Sequence, residues 1–217
     1  MRHDTTCPCV YSCVSLLHPC NLRLSLTQHF LSSLVGNDVA VLQLDRSAAL
    51  PEQVAFVNGD ALWPKETDKL FAAGFGLTSD TQLAGELQGV VLDYVPNCFL
   101  REPSYNPTYN ICGDSSPTKG TCAGDSGSPI MLVNPDGTVS SIILGLNSYS
   151  DGGCTSQTID VYTRASTYQI WIYQQVCAIS VSRPTELCDQ IAAAGCLFWS
   201  FQSFRNAFDT FARYFGY

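Results

Sequence analysis

Charge is scarce in this chain. Asp, Glu, Lys and Arg make up 14% of its 217 residues, and acids outnumber bases by 19 to 11, for a formal net charge of −8. Phosphate backbones are bound by basic surfaces, so this balance argues against a nucleic-acid partner. No stretch is apolar over the roughly 20 residues that a bilayer demands, so no transmembrane segment is expected. The start is a poor secretory leader as well: VSLLHPC is short and interrupted, and no small-residue cleavage site follows it. Internal repeats and low-complexity tracts are absent. Histidine, the commonest general base, occurs only as His3, His18 and His29. The reading calls for no cofactor and no metal.

What remains fits a globular protein. Hydrophobic residues make up 46%, and 217 residues suit one large all-β domain or two small halves around a common interface. Eleven cysteines point to an oxidising compartment, and an odd total leaves at least one thiol outside any internal pairing. They fall as Cys7, Cys9, Cys13 and Cys20, then Cys98, Cys112, Cys122 and Cys154, then Cys177, Cys188 and Cys196. From residue 36 to about 160, short β-branched runs (DVAVLQL, QVAFVNG, LFAAGFG, LQGVVLDYV, PIMLV, SSIILGLNSY) alternate with turn residues, the mark of a sandwich or barrel. TRASTYQIWIYQQV then predicts a helix with Tyr168, Ile172 and Val176 on its apolar face, capped by Thr163 or Ser166. Beyond Pro184, Phe198, Phe201, Phe204, Phe208, Phe211 and Phe215 recur at helical intervals opposite polar residues. This aromatic helical face is expected to pack on its own domain; the alternative is a helix that meets a protein partner or a membrane surface, against which the few basic residues of its polar face count. Residues 1–35 show no clean period.

The chemistry centres on GDSGSP, at 124–129. Two glycines around Ser126 suit a tight turn that presents Oγ beside converging backbone N–H groups. Other segments accompany it: NDVAVLQL at 37–44, AGFG at 73–76, SYSDGGC at 148–154 and DVYTRASTYQIWI at 160–172. In this order they resemble the trypsin/chymotrypsin serine proteases over residues 36–177. Asp38 and Ser126 lie 88 positions apart, against about 93 for the triad Asp and Ser of chymotrypsin.

The resemblance implies a fold and a set of roles. The fold is an all-β, trypsin-like double barrel with an incomplete first barrel, a C-terminal helix and the extra aromatic tail. Its divisions are an irregular segment at 1–35, a first-barrel remnant at 36–64, the second barrel with its helix at 65–177, and an extension at 178–217. Ser126 would be the nucleophile, Asp38 the residue that orients the histidine, and the N–H groups of Gly124 and Ser126 the oxyanion hole. Asp125 would accept the ammonium of a new N-terminus. Cys98–Cys112 and Cys122–Cys154 would be disulfides near a specificity pocket walled by Gly120, Thr121, Ser148, Tyr149, Ser150 and Asp160. The acid at the base of a trypsin pocket is Gly120 here, while Asp160 stands where the family usually has glycine. Asp160 is then either a displaced acid that draws in Arg or Lys or a solvated acid at a strand edge. Ser128 replaces a second family glycine, and IMLV lacks the cysteine expected there.

The base is the departure that matters most. The family's histidine lies in a TAAHC-like loop, about 45 positions before the aspartate in chymotrypsin, and no such loop occurs in this chain. His18, in LLHPC, resembles a His-Pro found between the triad residues, and none of the three histidines reads as catalytic. The expectation is a serine endopeptidase by family, acting on peptide or protein substrates. It is truncated or inactive as written, and extracellular or in the secretory pathway. The alternative is a pseudoprotease that binds a protein partner.

Overall fold

In KLFAAG, at 69–74, strand alternation sends Leu70, Ala72 and Gly74 to one face and Lys69, Phe71 and Ala73 to the other, and the first set is buried. The same logic builds most of the protein. The structure is a computed structural model and describes residues 27–28, 38–43, 55–79, 81–150, 154, 159–179 and 188–191. Its strands are β1 (Thr27–Gln28), β2 (Ala40–Val41), β3 (Phe56–Val57), β4 (Lys69–Gly74), β5 (Leu77–Ser79), β6 (Gln82–Leu83), β7 (Gln88–Val95), β8 (Asn110–Asp114), β9 (Pro129–Val133), β10 (Val139–Ser150) and β11 (Ile159–Arg164). Helix α1 (Ala165–Ile179) follows directly.

Strands β11, β8, β7, β4, β9 and β10 lie side by side, and β10 pairs back to β11, which closes a six-stranded antiparallel barrel. Leu70, Ala72, Leu92, Ile111, Ile130, Leu144 and Tyr162 fill it, each almost wholly buried. Burying a side chain such as Leu or Ile stabilises by about 1.5–3 kcal/mol. This is the all-β barrel with a C-terminal helix that the resemblance implies.

The segments ahead of the barrel pack on its outside. β2 pairs with β1, and β3 joins β10 in parallel through Val57 opposite Ile143. Val39, Val41 and Val57 meet Ala165, Tyr168, Ile172 and Val176 of α1 in a second core. The predicted apolar face of the helix is therefore the buried one. Its start differs from expectation, because neither predicted cap is used as one. The Thr163 hydroxyl, still in β11, donates to the Asp38 carbonyl at 2.9 Å, and Ser166 Oγ is buried with no partner among the described residues.

Two further differences are local. DVAVLQL yields only the two-residue β2, and β8 was not read from the sequence at all. The structure joins Cys98 to Cys112, Cys122 to Cys154 and Cys177 to Cys188. Cys7, Cys9, Cys13, Cys20, Cys196, the phenylalanine face of the tail and most of residues 1–35 lie outside the described residues. Among those described, no helix is long and apolar enough to cross a membrane.

Candidate active site

The loop between β8 and β9 is held by its own backbone. Asp125 N–H donates to the Cys122 carbonyl and Ser128 N–H to the Asp125 carbonyl, at 2.9 and 2.8 Å. Gly124 and Gly127 adopt φ of +95° and +82°, a region that side chains disfavour. Between them Ser126 is exposed. The N–H groups of Gly124 and Ser126 donate to no partner among the described residues.

Asp125 turns away from the serine and into the protein. Its Oδ1 accepts from Gly76 N–H and its Oδ2 from Cys122 N–H, both at 2.8 Å. The AGFG segment is glycine-rich for this reason. A Cβ at Gly74 would lie 2.1 Å from Asp125 Oδ1, and one at Gly76 would lie 2.6 Å from the same carboxyl group. Beside Asp125 opens a cleft of about 290 Å³, lined by Gly74, Gly76, Val90, Thr121, Cys122 and others.

β10 connects this loop to Asp38. Gly127 N–H donates to the Asn147 carbonyl at 2.7 Å, and Asn147 N–H donates to the Ser128 carbonyl at 2.8 Å. The next residue is Ser148. In the pairing of β10 with β11, Asn147 faces Tyr162 and Tyr149 faces Val161, so Ser148 is the extra residue of a bulge. Bulges re-aim side chains, and the Ser148 hydroxyl donates to Asp38 Oδ2 at 2.6 Å. Asp38 is thus fixed at its carboxylate by Ser148 and at its carbonyl by Thr163. The sequence suggested Ser148 only as a pocket wall and gave Thr163 no part at this site. Bulges have no reliable sequence signal, so neither contact was readable.

Two of the residues expected to wall the pocket, Thr121 and Ser150, adjoin Asp160. Alternation along β11 puts it on the face of Tyr162, which lies in the barrel core, and opposite Gly113 of β8 and Ser150 of β10. It is wholly buried, which rules out the solvated strand-edge reading. Oδ2 accepts from Thr121 N–H at 2.8 Å and from the Tyr162 hydroxyl at 3.4 Å, while Oδ1 has no partner among the described residues. Loss of solvent pushes the Asp160 carboxyl up to about 6, against the opposing pull of the Thr121 amide. Burial also holds Tyr162 protonated well above the usual phenol range, and it pushes Tyr149 up to about 12 with Glu102 adding to the effect. Thr121 and Asn147 are buried next to Asp160, with the Thr121 hydroxyl 3.4 Å from Asn147 Oδ1. Gly120, Ser148, Tyr149 and Ser150 are partly exposed.

His3, His18 and His29 lie outside the described residues. No group of three or more His, Cys, Asp or Glu among the described residues is placed to hold a metal.

Comparison with known proteins agrees with this architecture. The chain is 34% identical to serine protease Hayan of Drosophila melanogaster over 154 residues, which is 62% of the chain and 24% of that protein. It is 33% identical to mast cell protease 3 of Ovis aries over 147 residues, 63% of the chain and 53% of the relative. Glucanase inhibitor protein 2 of Phytophthora infestans shares 30% over 138 residues, 62% of the chain and 53% of the relative. The chain thus spans about half the length of the latter two relatives, and less of the first. The trypsin family pattern matches residues 24–172, which take in Asp38, Ser126, the closed barrel and the start of its helix, and so the chain belongs to the trypsin family.

Proposed function

We propose that this chain carries the nucleophile-bearing half of a serine endopeptidase that cleaves peptide bonds through an acyl-enzyme. The observation that carries the reading is the placement of the exposed Ser126. Its loop is bonded to Asn147, one residue before the Ser148 that holds Asp38. Ser126 Oγ attacks the scissile carbonyl, and the N–H groups of Gly124 and Ser126 receive the developing oxyanion, at about 3 kcal/mol per donor in related enzymes. Asp38 orients a histidine and supports its positive charge. Asp125, at the end of the 290 Å³ cleft, takes the ammonium of a new chain start. The first-barrel remnant at 36–64 and the second barrel at 65–177 divide the labour accordingly, and the cysteines fit a secreted protein.

The base is not among the residues assigned to the site. Losing the histidine from a triad costs about a million-fold in rate, so the polypeptide as given hydrolyses peptides negligibly. A fluorophosphonate probe should label Ser126 slowly in this chain. It should label rapidly when the chain is joined to an N-terminal half that bears a TAAHC loop, and not at all after Ser126→Ala. Failure of the joined protein to label would overturn the enzyme reading, and rapid labelling of the chain alone would overturn its inactivity.

A second reading is a non-catalytic homologue that binds a protein. The similarity to a protein named a glucanase inhibitor favours it, at an identity close to that of the proteases. Under that reading Ser126→Ala leaves partner binding unchanged.

A further inference from the structure

Helix α1 has an open side but no charge. Surface helices set charged residues on the side away from the core, yet none of the 15 residues of ASTYQIWIYQQVCAI is charged. The inner face, with Tyr168, Ile172 and Val176, meets the valines of the β2 and β3 segments. On the opposite side Thr167, Ile170, Gln174 and Ala178 are exposed. Their spacing of three and four keeps them in one stripe. Ile170 leaves 44% of its surface open, and Trp171 and Tyr173 flank it, partly buried. Such a stripe suits the seam between two helices better than it suits water.

The same chain carries a matching seam. Beyond Pro184, Phe201, Phe204, Phe208, Phe211 and Phe215 follow one another by alternating steps of three and four. That is the seven-residue repeat of a helix that buries a narrow stripe against another helix. Its charge, at Asp209 and Arg213, falls on the other side. The start of this segment is tied to α1. Cys177, three positions after Gln174, is joined to Cys188, and residues 188–191 form a helical turn. Phe198 comes ten positions after Cys188. A segment tethered at the end of α1 can cover that helix only by running back along it. The 15 residues of α1 span about 22 Å, and residues 198–215 as a helix would span about 27 Å, enough for the whole stripe.

We propose that residues 198–215 form a second helix that lies antiparallel on α1 and seats its phenylalanine seam on the stripe of Thr167, Ile170, Gln174 and Ala178. The charged side of the second helix then supplies the wet surface that α1 lacks. The cover bears on the site as well, because the inner face of α1 holds Val39 and Val41, beside Asp38. The proposal needs neither Ser126 nor a histidine, so it stands or falls separately from the peptidase reading.

The test places a photoreactive benzophenone side chain at position 170 of the full, oxidised chain and maps its cross-links by mass spectrometry. Illumination should join position 170 to peptides from 198–215 of the same chain, at a yield independent of protein concentration. The same probe in place of Leu83, exposed on β6, should not reach those peptides. Phe204→Asp combined with Phe208→Asp should abolish the cross-link, while slow deuterium exchange in β11 shows that the barrel is intact. Cross-links between chains that grow with concentration would overturn the proposal and assign the stripe to a second copy. Transfer of the cross-link to lipid when phosphatidylcholine vesicles are added would overturn it in favour of a membrane surface. Absence of any cross-link to 198–215 in a chain whose β11 exchanges slowly would overturn it outright.

Discussion

Replacing Asp160 with asparagine should make the fold more stable at neutral pH. The carboxyl is wholly buried, and burial raises it from 3.8 to about 6. Two pKa units correspond to about 3 kcal/mol. The sign follows from proton counting. Between about pH 4 and pH 6 the unfolded chain has lost this proton and the folded chain has kept it, so the folded state binds more protons and its stability falls as pH rises. Below pH 4 both states hold the proton and no penalty exists. Above pH 6 both have lost it and the penalty is complete. Asparagine keeps an acceptor for Thr121 N–H and carries no charge. Urea titrations at pH 4, 5, 6 and 7, with the disulfides intact, measure the effect. At pH 7 the variant should gain up to about 3 kcal/mol, a midpoint shift of about 1.5 M for a typical urea slope of about 2 kcal/mol per M. At pH 4 the two proteins should differ by much less. Parallel curves across this range, or a variant weakened most at pH 7, would refute the account of Asp160 as an uncompensated buried acid.

Other substitutions separate what holds the site from what decorates it. Gly76→Ala would force a Cβ to within 2.6 Å of the Asp125 carboxyl group, and thermal melts should show a loss of about 1–3 kcal/mol from overpacking. Ser148→Ala removes the hydroxyl on Asp38 Oδ2 and should cost about 1–2 kcal/mol in urea, since hydrogen bonds to charged groups exceed neutral ones. Ile172→Ala opens a cavity between α1 and the valines of β2 and β3, and the same assay should show a loss of about 2–5 kcal/mol. Lys69→Ala breaks an ion pair whose side chains are about half exposed and should change stability by under about 1 kcal/mol, less still at high salt.

The barrel was legible where apolar, β-branched runs are bounded by turn residues. LFAAGFG, LQGVVLDYV, PIMLV and SSIILGLNSY all contain strands of the barrel. β8 escaped notice because all of NICG is buried, with Asn110 and Gly113 breaking up an apolar run. At Gly113 a Cβ would stand 3.0 Å from Leu92, so the residue that weakens the strand signal is the one the packing needs. β11 poses the same problem. All six of its residues are buried, so IDVYTR shows no alternation, and an aspartate in it reads as an edge acid. Only the closure of β10 onto β11 puts Asp160 inside. At the site itself, the motifs located Ser126, Asp125 and Asp38, but the bulge that swings Ser148 onto Asp38 depends on a long-range register that no local pattern encodes.

The contrast between β11 and the Ser126 loop has a consequence for motion. β11 is paired on both sides and sealed on both faces, so its amides exchange with solvent only when the whole barrel opens. The loop has Ala123, Gly124 and Ser126 in water, and the amides of Gly124 and Ser126 exchange by small local excursions. Deuterium uptake should therefore divide this domain into a slow frame and a fast rim that carries Ser126. Substitutions on the rim should leave the slow exchange of β11 unchanged, so the shape of the barrel and the composition of its exposed loop can vary independently.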